Sequence, residues 1–201
     1  MNIRFLLIMI LLSTSMVSAE QKSDLASPER ITARLGVLYI PVGAIKFIPP
    51  DTENDFYDNF AFRISAEYFI SGFFSLGPGI EYLIKHVEPE QGYPFEADIK
   101  LYNFYFDCRY GYPLTDSETN YLVMGMGSGI GNLQESMELG DARGTGFCLY
   151  GLFGFDIALS NDIGLDILYR YQTIRITIDG ERNYRFEGSG LQAGLNYRFK
   201  F

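Results

Sequence analysis

Tryptophan is absent from this chain of 201 residues, histidine occurs once and cysteine twice. Past the N-terminal leader there is no run of eighteen or more apolar residues, which excludes a protein held in a membrane by helices. Positive charge is also in short supply: 16 Lys and Arg stand against 25 Asp and Glu, a formal charge of −9. Phosphate backbones would be repelled by that balance, so nucleic acid is not an expected partner. The two cysteines do not read as a bridge. Cys108 shares its parity with Phe104 and Phe106, whereas Cys148 alternates against Phe147 and Leu149, so the two side chains point to opposite faces of their strands. The lack of Trp leaves Tyr and Phe, 15 and 17 in number, to form any aromatic belts at a membrane border.

What is present begins with an address. Asn2 and Arg4 precede the apolar run from Phe5 to Leu12, and Val17-Ser18-Ala19 supplies small residues for cleavage, so residues 1–19 read as a secretory signal peptide. No cysteine lies near that point to accept lipid, and loss of Arg4 makes the remaining chain one unit more negative. Residues 20–29 are polar and read as a periplasmic lead-in to a single domain over 30–201.

The far end is the most patterned part of the chain. Leu191, Ala193, Leu195, Tyr197, Phe199 and Phe201 alternate with Gly190, Gln192, Gly194, Asn196, Arg198 and Lys200. Side chains alternate faces along a strand, so one face is apolar and aromatic while the other is small, polar or basic. Seven earlier segments carry the same alternation: Ile31–Ile40, Phe60–Ile70, Phe73–Val87, Ile99–Tyr110, Tyr121–Leu133, Phe147–Leu159 and Ile163–Ile174. Gly77-Pro78-Gly79 interrupts the third, and a proline without an N–H predicts a bulge or shifted register there. Connections after the second, fourth and sixth segments are short. Those after the others are long, over 41–59, 88–98, 134–146 and 175–189. Short periplasmic turns and long outer loops give this rhythm in a membrane barrel, and it places both termini in the periplasm. The expectation is an all-β fold, an eight-stranded antiparallel up-and-down transmembrane β-barrel, because only a closed barrel lets strands satisfy their backbone groups in lipid.

With its leader, alternation, loop rhythm and terminal Leu195-Asn196-Tyr197-Arg198-Phe199-Lys200-Phe201, the chain resembles the small eight-stranded outer-membrane barrels, the class that holds the OmpA transmembrane domain, OmpX-like proteins and opacity-type adhesins. The resemblance implies a porin-like envelope protein with surface-exposed loops. It also implies that Tyr197, Phe199 and above all Phe201 form the signal read by the barrel-assembly machinery.

Candidate functional residues follow from parity. Arg34, Arg63, Lys85, Arg109, Arg170, Arg198 and Lys200 share the inward face with Glu67, Glu81, Asp107, Asp156 and Asp166. Eight strands enclose only enough space for side chains, so these charges are expected to pair across the lumen as a polar plug. A narrow channel is the alternative. Gly125, Gly127, Gly129 and Gly131 lie on the inner face, where missing side chains leave room for neighbouring arginines. Their strict two-residue spacing, with no Walker lysine, separates them from a phosphate-binding loop. His86 motivates a second alternative, an outer-membrane lipid-modifying enzyme of the lipid A deacylase kind, yet no serine stands beside it in the sequence. A secreted lipocalin-like barrel is the soluble rival. Acids crowd the first two long connections, with Asp51, Glu53, Asp55 and Asp58, then Glu88, Glu90, Glu96 and Asp98. They lack the glycine and terminal acid of an EF-hand, so no metal or other cofactor is expected. A non-catalytic, monomeric barrel is the reading, with outer-membrane lipids and lipopolysaccharide as surroundings and the acidic loops available to an extracellular partner.

Overall fold

The alternation predicted from sequence becomes eight strands in a computed structural model that describes residues 30–48, 52–87, 97–114, 120–137, 140–178 and 182–200. They are β1 (Arg30–Ile48), β2 (Thr52–Phe69), β3 (Phe74–Val87), β4 (Ala97–Pro113), β5 (Tyr121–Met137), β6 (Gly140–Ala158), β7 (Ile163–Ile178) and β8 (Arg182–Lys200). Each pairs antiparallel with its sequence neighbour, and β8 returns to β1 to close the barrel. The proposed leader and lead-in, and Phe201, lie outside the described residues.

The strands are staggered. Following paired residues from Gly36 through Arg63, Glu81, Asn103, Gly131, Gly146, Ile176 and Tyr184 returns to β1 at Phe47, well up the strand from the start. That offset is the shear a closed sheet of tilted strands requires.

Three sequence expectations need correction. The stretches read as long connections are mostly strand: β1 and β2 stay paired to Phe47 and Thr52, β5 and β6 to Met137 and Gly140, and β7 and β8 to Ile178 and Arg182. The ladder continues there without regular alternation because backbone pairing does not depend on one apolar face once the strands are solvated. Only the connection between β3 and β4, over 88–96, matches the expected span closely. The bulge is also elsewhere. Pairing of β3 with β4 runs unbroken through Pro78 and Phe106, while the ladder to β2 skips Ala66 and Glu67 and resumes in the same register. The shift in register falls instead between Tyr39 and Val42 against β8, beside Pro41, a residue expected to begin the long connection. The third correction concerns the interior and is given with the site.

The outward face is apolar across every strand. Leu35, Phe62, Ile64, Ile80, Phe104, Met126, Ile130, Phe147, Phe155, Ile167, Leu191 and Leu195 are exposed although each is large and hydrophobic. Rings border this band at both ends. Tyr68, Phe74, Tyr110 and Phe199 lie at the end that carries the termini, with Tyr197 edge-on to Phe199 at 4.7 Å. Tyr39 with Phe60 and Tyr82 with Tyr102 form close ring pairs toward the other end.

Candidate functional site

The inward residues form two charge clusters, and each is neutral by itself. In the cluster nearer the termini, Arg34 is shared by three acids: Nε lies 3.2 Å from Glu67, and Nη1 lies 2.6 Å from Asp166 and 3.3 Å from Asp156. Arg109 Nε reaches the same Glu67 at 2.9 Å, and Arg198 reaches Asp156 at 2.6 Å. Ser75 donates to Glu67 at 3.0 Å, and Asn196 donates to Asp156 at 3.2 Å. Three arginines thus meet three carboxylates brought from six strands. Nothing short of barrel closure unites them, because Arg34 and Asp166 are 132 positions apart in the chain.

The second cluster sits at mid-height. Arg63 pairs with Asp107 and, at 3.8 Å, with Glu81, while Arg170 pairs with Glu81. Asn103 and Tyr105 also donate to Glu81, at 3.1 and 3.2 Å. The Tyr150 hydroxyl donates to Asp107 and accepts from Arg63 at 2.6 Å. Both guanidiniums also lie over rings: Arg170 over Tyr150 at 3.9 Å and Arg63 over Tyr105 at 5.2 Å. A buried charge stripped of water is costly unless paired and hydrogen-bonded, and these partners meet both conditions.

Tyr150 is the functional residue that sequence reasoning missed. Its signal was a vacancy on the neighbouring strand. A Cβ built on Gly127 would lie 2.3 Å from the Tyr150 ring and 2.7 Å from Asp107. That glycine therefore makes room for a tyrosine, whereas at Gly125 an added Cβ would lie 3.0 Å from the Arg109 side chain and 2.7 Å from the Cys108 backbone oxygen, which fits the expected accommodation of an arginine. Of the remaining expected members, Lys85 is half-buried opposite Ile99, and the side chain of Lys200 lies outside those described.

Above the charges the interior changes character. Leu38, Ile40, Ala61, Leu83, Ile99, Leu101, Leu133, Ile174, Ile176 and Ile178 are all buried on the inward face toward the end opposite the termini. A lumen filled by a charge-paired polar plug was the expectation. The structure corrects it to a charged layer under a mainly apolar one, in which Glu135 is also buried and accepts from the Tyr184 hydroxyl at 3.2 Å. At the termini end, a recess lined by Arg30, Arg34, Arg109, Tyr121 and Asp156 holds about 20 Å³, room for about one water.

His86 acquires neighbours of the right kind in the wrong order. Its Nδ1 lies 2.8 Å from Asp98 Oδ1, and Asp98 is directly opposite Ser136 on β5. A hydrolytic triad needs the imidazole between hydroxyl and carboxylate. Here the carboxylate is in the middle, and two strand spacings, roughly 9.5 Å, separate the backbones of His86 and Ser136. Both His86 and Asp98 are exposed. Cys108 and Cys148 are free thiols, as their opposed parities predicted. Among the described residues no group of His, Cys, Asp and Glu is arranged to hold a metal. The acids of the first connections lie largely outside the described residues or on β2 positions whose side chains are not described.

A family described as outer membrane protein beta-barrel domain matches residues 9–199. The chain belongs to that family. Its place is accordingly the outer membrane of a Gram-negative bacterium, and the exposed apolar band is its lipid-facing surface. The fold is similar to that of Neisserial surface protein A, with a TM-score of 0.61 at 20% identity over 87% of this chain and 99% of the other. It is also similar to the outer membrane protein OprG of Pseudomonas aeruginosa, TM-score 0.64 at 13% identity, covering 86% of this chain and 97% of that one. Ail, the attachment invasion locus protein of Yersinia pestis, gives a TM-score of 0.53 at 13% identity, over 85% and 99% of the two chains. No curated protein matches. At these identities the likenesses speak for the outer-membrane barrel fold alone.

Proposed function

We propose that this protein is a non-catalytic outer-membrane barrel with a structural and surface-interaction role, its termini in the periplasm and its closed interior serving as a rigid support for the projecting hairpins. The observation that carries this reading is the stacking of the lumen: two self-neutralised charge clusters below, a layer of buried leucines and isoleucines above. An ion entering from the termini end would find every carboxylate of the clusters already engaged, and would then meet leucines and isoleucines among which the one buried carboxylate described, Glu135, is engaged by the Tyr184 hydroxyl. Outer-membrane lipids and lipopolysaccharide surround the barrel, the barrel-assembly machinery reads its terminal strand, and the long hairpins are the surface available to an extracellular partner. The order of His86, Asp98 and Ser136 supports the non-catalytic side of the reading.

Planar-bilayer recording tests it. Purified protein inserted into a bilayer is expected to give no current steps above those of the protein-free membrane, and a reproducible unitary conductance would replace the filled support with a channel.

A further inference from the structure

On the outer surface, between β5 and β6, a recess opens over the inward-facing rung of Leu133 and Gly144. Leu133 and Gly144 pair there, with Leu133 turned into the interior. The outward pairs on either side are Asn132 with Thr145 and Gln134 with Arg143. Together with Thr177 of β7, opposite Thr145, they enclose an open recess of about 320 Å³. Every polar side chain in it can donate a hydrogen bond: two amides, two hydroxyls and a guanidinium. Among the described residues no carboxylate lines it.

The surroundings add charge of the same sign. Lys100 lies opposite Gln134, and Arg175 stands two positions from Thr177 on the same face. Arg175 is directly opposite Arg185, a cross-strand pairing of like charges that is unfavourable by itself. Arg185 is engaged by Glu187. Among the described residues, Lys100, Arg143 and Arg175 have no carboxylate within ion-pair distance. The nearest outward acid on β6 is Asp141, opposite Ser136 and beyond the recess. In a chain of net charge −9, a face with three cations that make no ion pair among the described residues suits an anion.

The level of the recess says which anion. The next outward pair toward the apolar band is Ile130 with Phe147, 59% and 58% exposed and facing lipid. A ligand seated over the Leu133–Gly144 rung therefore has its headgroup at the polar border, with acyl chains running down past Phe147 and Ile130. We propose that this recess binds a phosphate on the headgroup of an outer-leaflet glycolipid of the lipid A type. Arg143 is the anchoring fork, the Asn132, Gln134, Thr145 and Thr177 side chains donate to phosphate or sugar oxygens, and Arg175 and Lys100 supply flanking charge. The assignment to the outer leaflet rests on the periplasmic placement of the termini. The phosphate chemistry does not.

Native mass spectrometry of the purified barrel in detergent reads the site irrespective of orientation. The protein is titrated with bisphosphorylated lipid A, with dephosphorylated lipid A and with inorganic phosphate, each in the presence of a divalent-cation chelator. Wild type is expected to retain bisphosphorylated lipid A, and Arg143→Gln combined with Arg175→Gln to weaken it about tenfold or more. Dephosphorylated lipid A should bind wild type with the weakened affinity, and inorganic phosphate should not compete. Gln134→Glu places a carboxylate in the recess without removing an arginine and should weaken binding similarly. Heat-modifiable migration verifies folding of each variant. Unchanged affinity in the folded variants, equal binding of the dephosphorylated lipid, or loss of binding on chelation would each overturn the site. Displacement by inorganic phosphate would reassign it to the free ion.

Discussion

At the scale of single residues, the clearest feature is that buried arginines here are shared. Arg63 touches Asp107, Glu81 and the Tyr150 hydroxyl while only 2% exposed. Truncating it leaves Asp107 in the dry interior with only Tyr150 as a nearby donor and Glu81 with Arg170. Arg63→Ala is expected to destabilise the folded barrel by about 3–5 kcal/mol, read from urea unfolding in lipid vesicles. A loss under about 1 kcal/mol would show that water enters and solvates the cluster. Parity alone could list these residues as inward, since an inward position follows from counting by twos. Which acid meets which arginine could not be read, because Arg34 finds its partners on β2, β6 and β7 only once the sheet has closed with a stagger.

At the scale of elements, glycines on β5 and β6 divide into those that meet a neighbour and those that do not. Gly127 is occupied from across the rung by Tyr150, whereas an added Cβ at the outward-facing Gly151 has only a backbone oxygen at 3.9 Å. Gly127→Ala should therefore cost about 1–3 kcal/mol, and Gly151→Ala should stay within about 0.5 kcal/mol, by the same unfolding measurement. Equal effects would mean that Tyr150 does not occupy the space. The strands themselves were legible wherever one side faced lipid and the other the interior. Their outer extensions were not, since β6 before Phe147 is mostly polar and glycine residues and β1 beyond Pro41 is mostly apolar, and neither carries the polar and apolar alternation that announces a strand. The apolar upper interior was legible in principle. Leu38 and Ile40 have the parity of Arg34, and Ile174, Ile176 and Ile178 that of Arg170; the parity marked them inward, but only the barrel's closure shows that they meet above the charges.

At the scale of the whole molecule, the described residues form a closed barrel with a hydrophobic exterior, a stacked interior and hairpins rising past one aromatic border. The proposed orientation puts those hairpins outside the cell. An epitope inserted at 138–139, the tip between β5 and β6, should be detected by antibody on intact cells without permeabilisation. Detection only after the outer membrane is breached would reverse the orientation, and with it the leaflet assigned to the recess on β5–β7.

The sequence by itself determined the strand number, the antiparallel order, which face of each strand meets lipid, and the opposition of Cys108 and Cys148. All of these follow from a two-residue period and from the spacing of turns, which are local properties of the chain. Only the tertiary structure decided the pairing of the lumen charges, the apolar layer above them, the exchange of Pro78 for Pro41 as the site of the irregularity, the reversed order of His86, Asp98 and Ser136, and the cationic recess at the polar border. Each of these depends on register and shear, which fix how high a residue of one strand stands against its neighbours, and that height is set by closure of the whole sheet.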